Sequence, residues 1–129
     1  MEGTRPLVAV VNDEAVFAQL LDAVLHDDGY DTLLLQAGEV AYASIKQHSP
    51  RAILLDINID TPQTGWRFVD LLLLDPQTAG IPLIICSVAD QTLRDRTPKL
   101  HAAGYTIIEK PFPLGEVLEQ VRAAINKSG

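Results

Sequence analysis

The chain has 129 residues, enough for one domain with a real core and too few for a receptor module joined to a separate effector. With 47% hydrophobic and 21% charged residues and no repeat or low-complexity run, the composition is that of a folded globular unit and excludes disorder. Ten Lys and Arg against seventeen Asp and Glu leave a net charge of −7, which argues against a general nucleic-acid binder, because neutralising phosphates takes clusters of basic side chains.

The opening "MEGTRPLVAVVNDE" lacks the long apolar core and cleavage site of a signal peptide, and no run approaches the roughly 18 apolar residues of a membrane span. The first apolar run, "LVAVV" at 7–11, has strand length and is continuous rather than alternating, as expected of a strand buried on both faces. Phe17, Leu20, Leu21, Val24 and Leu25 then recur at helical spacing, and Gly29 stops that helix as a C′ glycine does. "TLLL" at 32–35 predicts a second strand, 39–48 a helix ending before Pro50, and "AILL" at 52–55 a third strand. A helix is predicted over 66–74, stopping before Pro76, and "LIIC" at 83–86 predicts a fourth strand. Its Cys86 is the sole cysteine, so no intramolecular disulfide forms; a small core residue in a cytoplasmic protein is the expectation. Between 90 and 103 the pattern is ambiguous: Pro98 breaks a long helix, whereas Thr97 as N-cap and Pro98 at the first position start a short one ending at Gly104. "TII" at 106–108 is a fifth strand, and a last helix begins near Pro113 with Val117, Leu118, Val121, Ala124 and Ile125 as its buried stripe. Five β/α repeats predict an α/β fold, a five-stranded parallel sheet with right-handed crossovers and helices on both faces.

In such a sheet ligands bind beyond the carboxyl ends of the strands. Those ends carry Asn12, Asp13 and Glu14, then Asp56 and Asn58, then Ser87, then Lys110 and Pro111. Asp56, Asn58 and Asp60 also match the first, third and fifth positions of a calcium loop, but Thr61 replaces its sixth-position glycine and Arg67 its twelfth-position glutamate. Two carboxylates on neighbouring strands, Asp13 and Asp56, repel unless a cation intervenes, and Mg²⁺ suits one or two carboxylates, a carbonyl oxygen and waters. A carboxylate beside Mg²⁺ is a competent nucleophile toward phosphorus, with Lys110 and Ser87 supplying a cation and a hydroxyl to the phosphoryl oxygens.

Taken together, "NDE" after the first strand, Asp56 in "LLDIN", Ser87 in "IICSVAD" and Lys110 in "EKPF" resemble the receiver domain of bacterial two-component response regulators over essentially the whole chain. The resemblance implies a doubly wound, flavodoxin-like sheet of order 2-1-3-4-5, in a cytoplasmic protein. It implies Asp56 as phosphoacceptor, Asp13 and the Asn58 backbone carbonyl as Mg²⁺ ligands, and Asn12 acting through a water. Ser87 becomes the switch hydroxyl and Lys110 the phosphoryl clamp, followed by a cis bond to Pro111. The implied donor is a histidine kinase or histidine phosphotransfer domain. With 1–129 read as a single receiver and no effector domain, the output is expected to be binding of a downstream protein rather than of nucleic acid or membrane.

Departures from the family pattern are also legible. Asn12 stands where the first of two aspartates is usual, predicting weaker metal affinity, and Ile107 stands where an aromatic is common, so the segment 89–103 is expected to carry the readout. A degenerate receiver acting as a constitutive protein-binding module is the rival these departures motivate. A flavin-binding reading of the same fold fails on the Asn-Asp-Glu after the first strand, because carboxylates repel a cofactor phosphate. The three histidines and Trp66 are expected at the surface and in packing respectively, and at least one leucine of "LLLL" (71–74) in solvent.

Overall fold

The computed structural model describes residues 5–36, 39–57 and 62–128. Residues 58–61, which include Asn58 and Asp60, lie outside the described residues. In chain order the elements are β1 (Leu7–Val11), α1 (Ala15–Asp27), β2 (Asp31–Leu35), α2 (Glu39–His48), β3 (Ala52–Asp56), α3 (Pro62–Leu74), α4 (Pro76–Ala79), β4 (Leu83–Val88), α5 (Gln91–Ala102), β5 (Thr106–Lys110) and α6 (Leu114–Ser128). The strands form one sheet of order β2-β1-β3-β4-β5 with every pair parallel, as expected.

Strand parity divides the core into two layers. Ala9, Val11, Ile53, Leu55, Leu83 and Ile85 face one side, where Ala41, Ile45, Val69, Leu72, Leu93 and Leu100 of α2, α3 and α5 cover them. Val8, Val10, Leu54, Ile84, Cys86 and Ile108 face the other, under Leu21 and Leu25 of α1 and Val117 and Val121 of α6. Burial on both faces is what the continuous apolar runs of β1, β3 and β4 require; β2 departs from it, because it is an edge strand with no fully buried residue and Leu34 in solvent.

Helix ends follow local chemistry. At the end of α1, Tyr30 N–H donates to the Leu25 carbonyl and Gly29 N–H to that of His26, a Schellman closure that needs the positive φ of +100° at Gly29. Gly104, φ +82°, closes α5 in the same way through Leu100 and His101.

Three predicted boundaries are corrected. α3 starts at Pro62 rather than 66, a proline that fits the first helical turn. Pro76 does not merely end α3: Asp75 accepts a hydrogen bond from Gln77 N–H at 2.9 Å and caps the short α4. The segment 91–102 is one helix with Pro98 inside it. Its cap is Asp90, which accepts from Leu93 N–H at 2.9 Å, and Thr97 instead donates its hydroxyl to the Leu93 carbonyl at 2.7 Å. An earlier N-cap outweighs the one backbone bond that Pro98 cannot donate, because burying Leu93 and Leu100 seven residues apart requires a continuous helix.

Packing expectations are met elsewhere. Trp66 is buried, the three histidines are exposed, and within "LLLL" Leu71 and Leu74 reach solvent while Leu72 is buried.

Candidate functional site

The strand order reverses between β1 and β3, so the crevice lies at their carboxyl ends, where Asn12 and Asp13 follow β1 and Asp56 ends β3. Val11 pairs with Leu55, which sets Asn12 level with Asp56, and Asp56 pairs in turn with Cys86. Lys110 ends β5 beside Val88 and reaches across β4: its Nζ lies 2.5 Å from Asp56 Oδ1. Both partners are largely shielded, with side-chain exposures of 13% for Asp56 and 24% for Lys110, so the pair is held with less water between and around it than a surface bridge has. The Lys110–Pro111 peptide bond is cis, as the resemblance implies.

Asn12 is buried, and its Oδ1 accepts a hydrogen bond from Glu14 N–H at 2.8 Å. Its amide thereby shapes the turn that leads from β1 into α1 and leaves Asp13 exposed at the rim. Glu14 precedes α1, and its side chain makes no capping bond. Ser87 is buried, and its hydroxyl donates to the Val88 carbonyl at 3.0 Å.

The geometry thus brings Asn12, Asp56 and Lys110 into one small pocket, and Asp56 and Lys110 also border an open cleft of about 480 Å³. Sequence reasoning missed the apolar half of this cleft: Phe17, Val88 and Phe112 border it, with the Phe17 and Phe112 rings 6.3 Å apart and tilted by 58°. The available signal was Phe17 itself, the first residue of the α1 stripe. Beneath the carboxylate, burial pushes the Cys86 thiol up to about 12, with the Asp56 charge adding to it, so the thiol is protonated and inert at neutral pH.

The donor set suits a hard divalent cation. Asp13 and Asp56 are carboxylates at adjoining strand ends, and Lys110 balances one of those negative charges, leaving the three groups one unit negative. Among the described residues no three His, Cys, Asp or Glu side chains cluster.

Fold and site together define a doubly wound α/β domain with an acidic centre and a lysine at its topological switch point. The chain belongs to the response regulator receiver domain family, whose model matches residues 8–122. Among curated proteins it is similar to the DNA-binding response regulator MtrA of Mycobacterium tuberculosis, 27% identical over 99% of this chain and 54% of that protein. The transcriptional regulatory protein PrrA of Mycobacterium bovis is 29% identical over 98% of this chain and 52% of that protein. The chain therefore spans about half the length of the curated relatives it matches. Among solved structures, the chemotaxis response regulator CheY4 of Vibrio cholerae shares the fold with a TM-score of 0.78 at 22% identity, covering 94% of this chain and 99% of that one. Among the described residues no helix is long and apolar enough to cross a membrane.

Proposed function

We propose that this receiver takes a phosphoryl group onto Asp56 from a histidine kinase or histidine phosphotransfer domain and signals by phosphorylation-dependent protein binding. The observation that carries the reading is the Lys110 Nζ to Asp56 Oδ1 contact of 2.5 Å, a shielded carboxylate with a fixed cation at the strand-end crevice.

In the transfer, the phosphorus–nitrogen bond of the donor phosphohistidine breaks, its electron pair returns to the imidazole, and a bond forms between phosphorus and an Asp56 carboxylate oxygen. Lys110 already stands against the carboxylate, so its ammonium is available to the phosphoryl oxygens as their charge comes to share the site. Ser87 donates a hydroxyl from the next strand once its bond to the Val88 carbonyl is released. Asp13, Asp56 and the Asn58 carbonyl would hold Mg²⁺, with Asn12 reached through a water; the ion supplies charge neutralisation of the phosphoryl oxygens. Downstream, the face of α5, β5 and α6 is the proposed contact with a partner protein, with Ile107 half-buried in it where an aromatic is common.

The test is incubation with acetyl phosphate and Mg²⁺ followed by intact mass. A single phosphoryl increment on the wild type that vanishes in Asp56→Asn is expected. No increment on the wild type leaves the constitutive binding module as the better account.

A further inference from the structure

α5 is lightly anchored. Of its twelve residues only Leu93 and Leu100 are buried, and Pro98 leaves the Arg94 carbonyl without the N–H that a regular helix would offer. One side chain ties this helix sideways. Arg96 Nη1 lies 3.0 Å from Asp70 Oδ1, and the guanidinium stands over the Trp66 ring at 4.8 Å from its centroid. Trp66 and Asp70 are i and i+4 on α3, so a single arginine grips two successive turns of one helix.

α3 is itself bound to the end of β3. Gly65 packs so close to the residue after Asp56 that a Cβ there would fall 2.1 Å from the Ile57 carbonyl oxygen. Arg96 therefore links α5, through α3, to the strand end that carries the carboxylate. The N-terminal end of α5 is linked to Ser87 through 88–90, where the Ser87 hydroxyl bonds the Val88 carbonyl. That hydroxyl cannot turn toward Asp56 without releasing this bond, and 88–90 is the segment that leads into the Asp90 cap.

We propose that the Arg96 grip on Trp66 and Asp70 holds α5 against α3 and loosens when Asp56 is phosphorylated, so that Arg96 sets how strongly modification is coupled to the position of α5. The coupling rests on the proposed phosphoacceptor role of Asp56; the grip does not. A partly exposed ion pair and a cation–π contact are both weak, so their loss together is worth about a fivefold change in an opening equilibrium.

Two measurements on the whole chain test this. In the unphosphorylated protein, Arg96→Gln should speed amide hydrogen exchange across 91–102 about fivefold while leaving the strands unchanged, and Arg96→Lys, which keeps a cation over the ring, should restore part of the protection. Trp66 is the only tryptophan, so its emission should change after acetyl phosphate and Mg²⁺ with the time course of the mass increment, and by less than half that amplitude in Arg96→Gln. Unaltered exchange in Arg96→Gln overturns the grip. Emission that stays constant while the wild type becomes fully phosphorylated overturns the coupling. Absence of the mass increment overturns the phosphoacceptor reading and the coupling with it, and the grip is then decided by exchange alone.

Discussion

Replacing Gly65 with alanine sets two effects of known size against each other. In a helix, alanine is favoured over glycine by about 1 kcal/mol, so propensity alone predicts a stabilised α3. The structure predicts the reverse. A Cβ at Gly65 would sit 2.1 Å from the Ile57 carbonyl oxygen and 2.8 Å from both its carbonyl carbon and its Cα, whereas ordinary contact begins at 3.4 Å. The obstacle is backbone at the end of a central strand, so it is α3 that would have to retreat, by 3.4 − 2.1, or 1.3 Å. Overpacking of a buried site costs about 1–3 kcal/mol, more when the neighbour is backbone, so the net effect is a loss of about 2 kcal/mol. For a domain of this length that is a fall in Tm of roughly 5–10 °C. Because α3 begins soon after Asp56 in the chain, its retreat also pulls on the strand end that carries the carboxylate, and the acetyl phosphate reaction should slow by up to about 10²-fold. The assays are thermal unfolding by circular dichroism and the rate of the mass increment. A Gly65→Ala protein that melts at or above the wild-type temperature would refute the close approach of α3 to Ile57.

Asn12→Asp adds a second carboxylate beside Asp13 while keeping an oxygen for Glu14 N–H, and should tighten Mg²⁺ binding about tenfold, a part of the roughly 4 kcal/mol that a close unit pair is worth at an effective ε near 20; calorimetric titration showing equal or weaker binding counts against the site. Lys110→Ala removes the cation 2.5 Å from Asp56 and should slow phosphorylation about 10²-fold, as loss of one oxyanion donor does elsewhere, with an unchanged rate in the mass assay being the contrary result. Asp75 carries an acid dependence of its own. The Tyr42 hydroxyl, the Gln77 N–H and the Lys46 ammonium hold its carboxyl down from 3.8 to about 2. Its contribution is therefore complete above the ordinary carboxylate range and is lost as the pH falls from about 4 toward 2. Urea unfolding at successive pH values should show that slope in the wild type and a flatter one in Asp75→Asn; parallel curves would contradict it.

What the sequence made legible follows from where each signal lives. Buried parallel strands are continuous apolar runs, so β1, β3 and β4 could be read residue by residue, and a parallel sheet delivers its polar strand ends to one rim. Asp56 and Lys110 were thus assigned to one site across 54 residues of chain without any contact being visible. Boundaries marked by proline were read less well, because the same residue ends one helix and begins the next. Pro76 does both once Asp75 supplies its cap, and Pro98 does neither because Asp90 has already set the register of α5.

The tertiary contacts between helices were illegible for a different reason. Trp66 read as an ordinary packing residue, which holds on its own, and Arg96 carried no signal in the sequence. Their meeting depends on the angle at which α5 lies against α3, which no local pattern encodes. The same holds for Gly65, whose close approach to Ile57 no local pattern marks. The two constraints run in series, one joining the strand end bearing Asp56 to α3 and the other joining α3 to α5. Sequence placed Asp56 and Lys110 at one rim because chain direction puts strand ends there. The contacts that tie α3 to Ile57 and α5 to α3 join separate elements, and those emerge only when the layers are assembled.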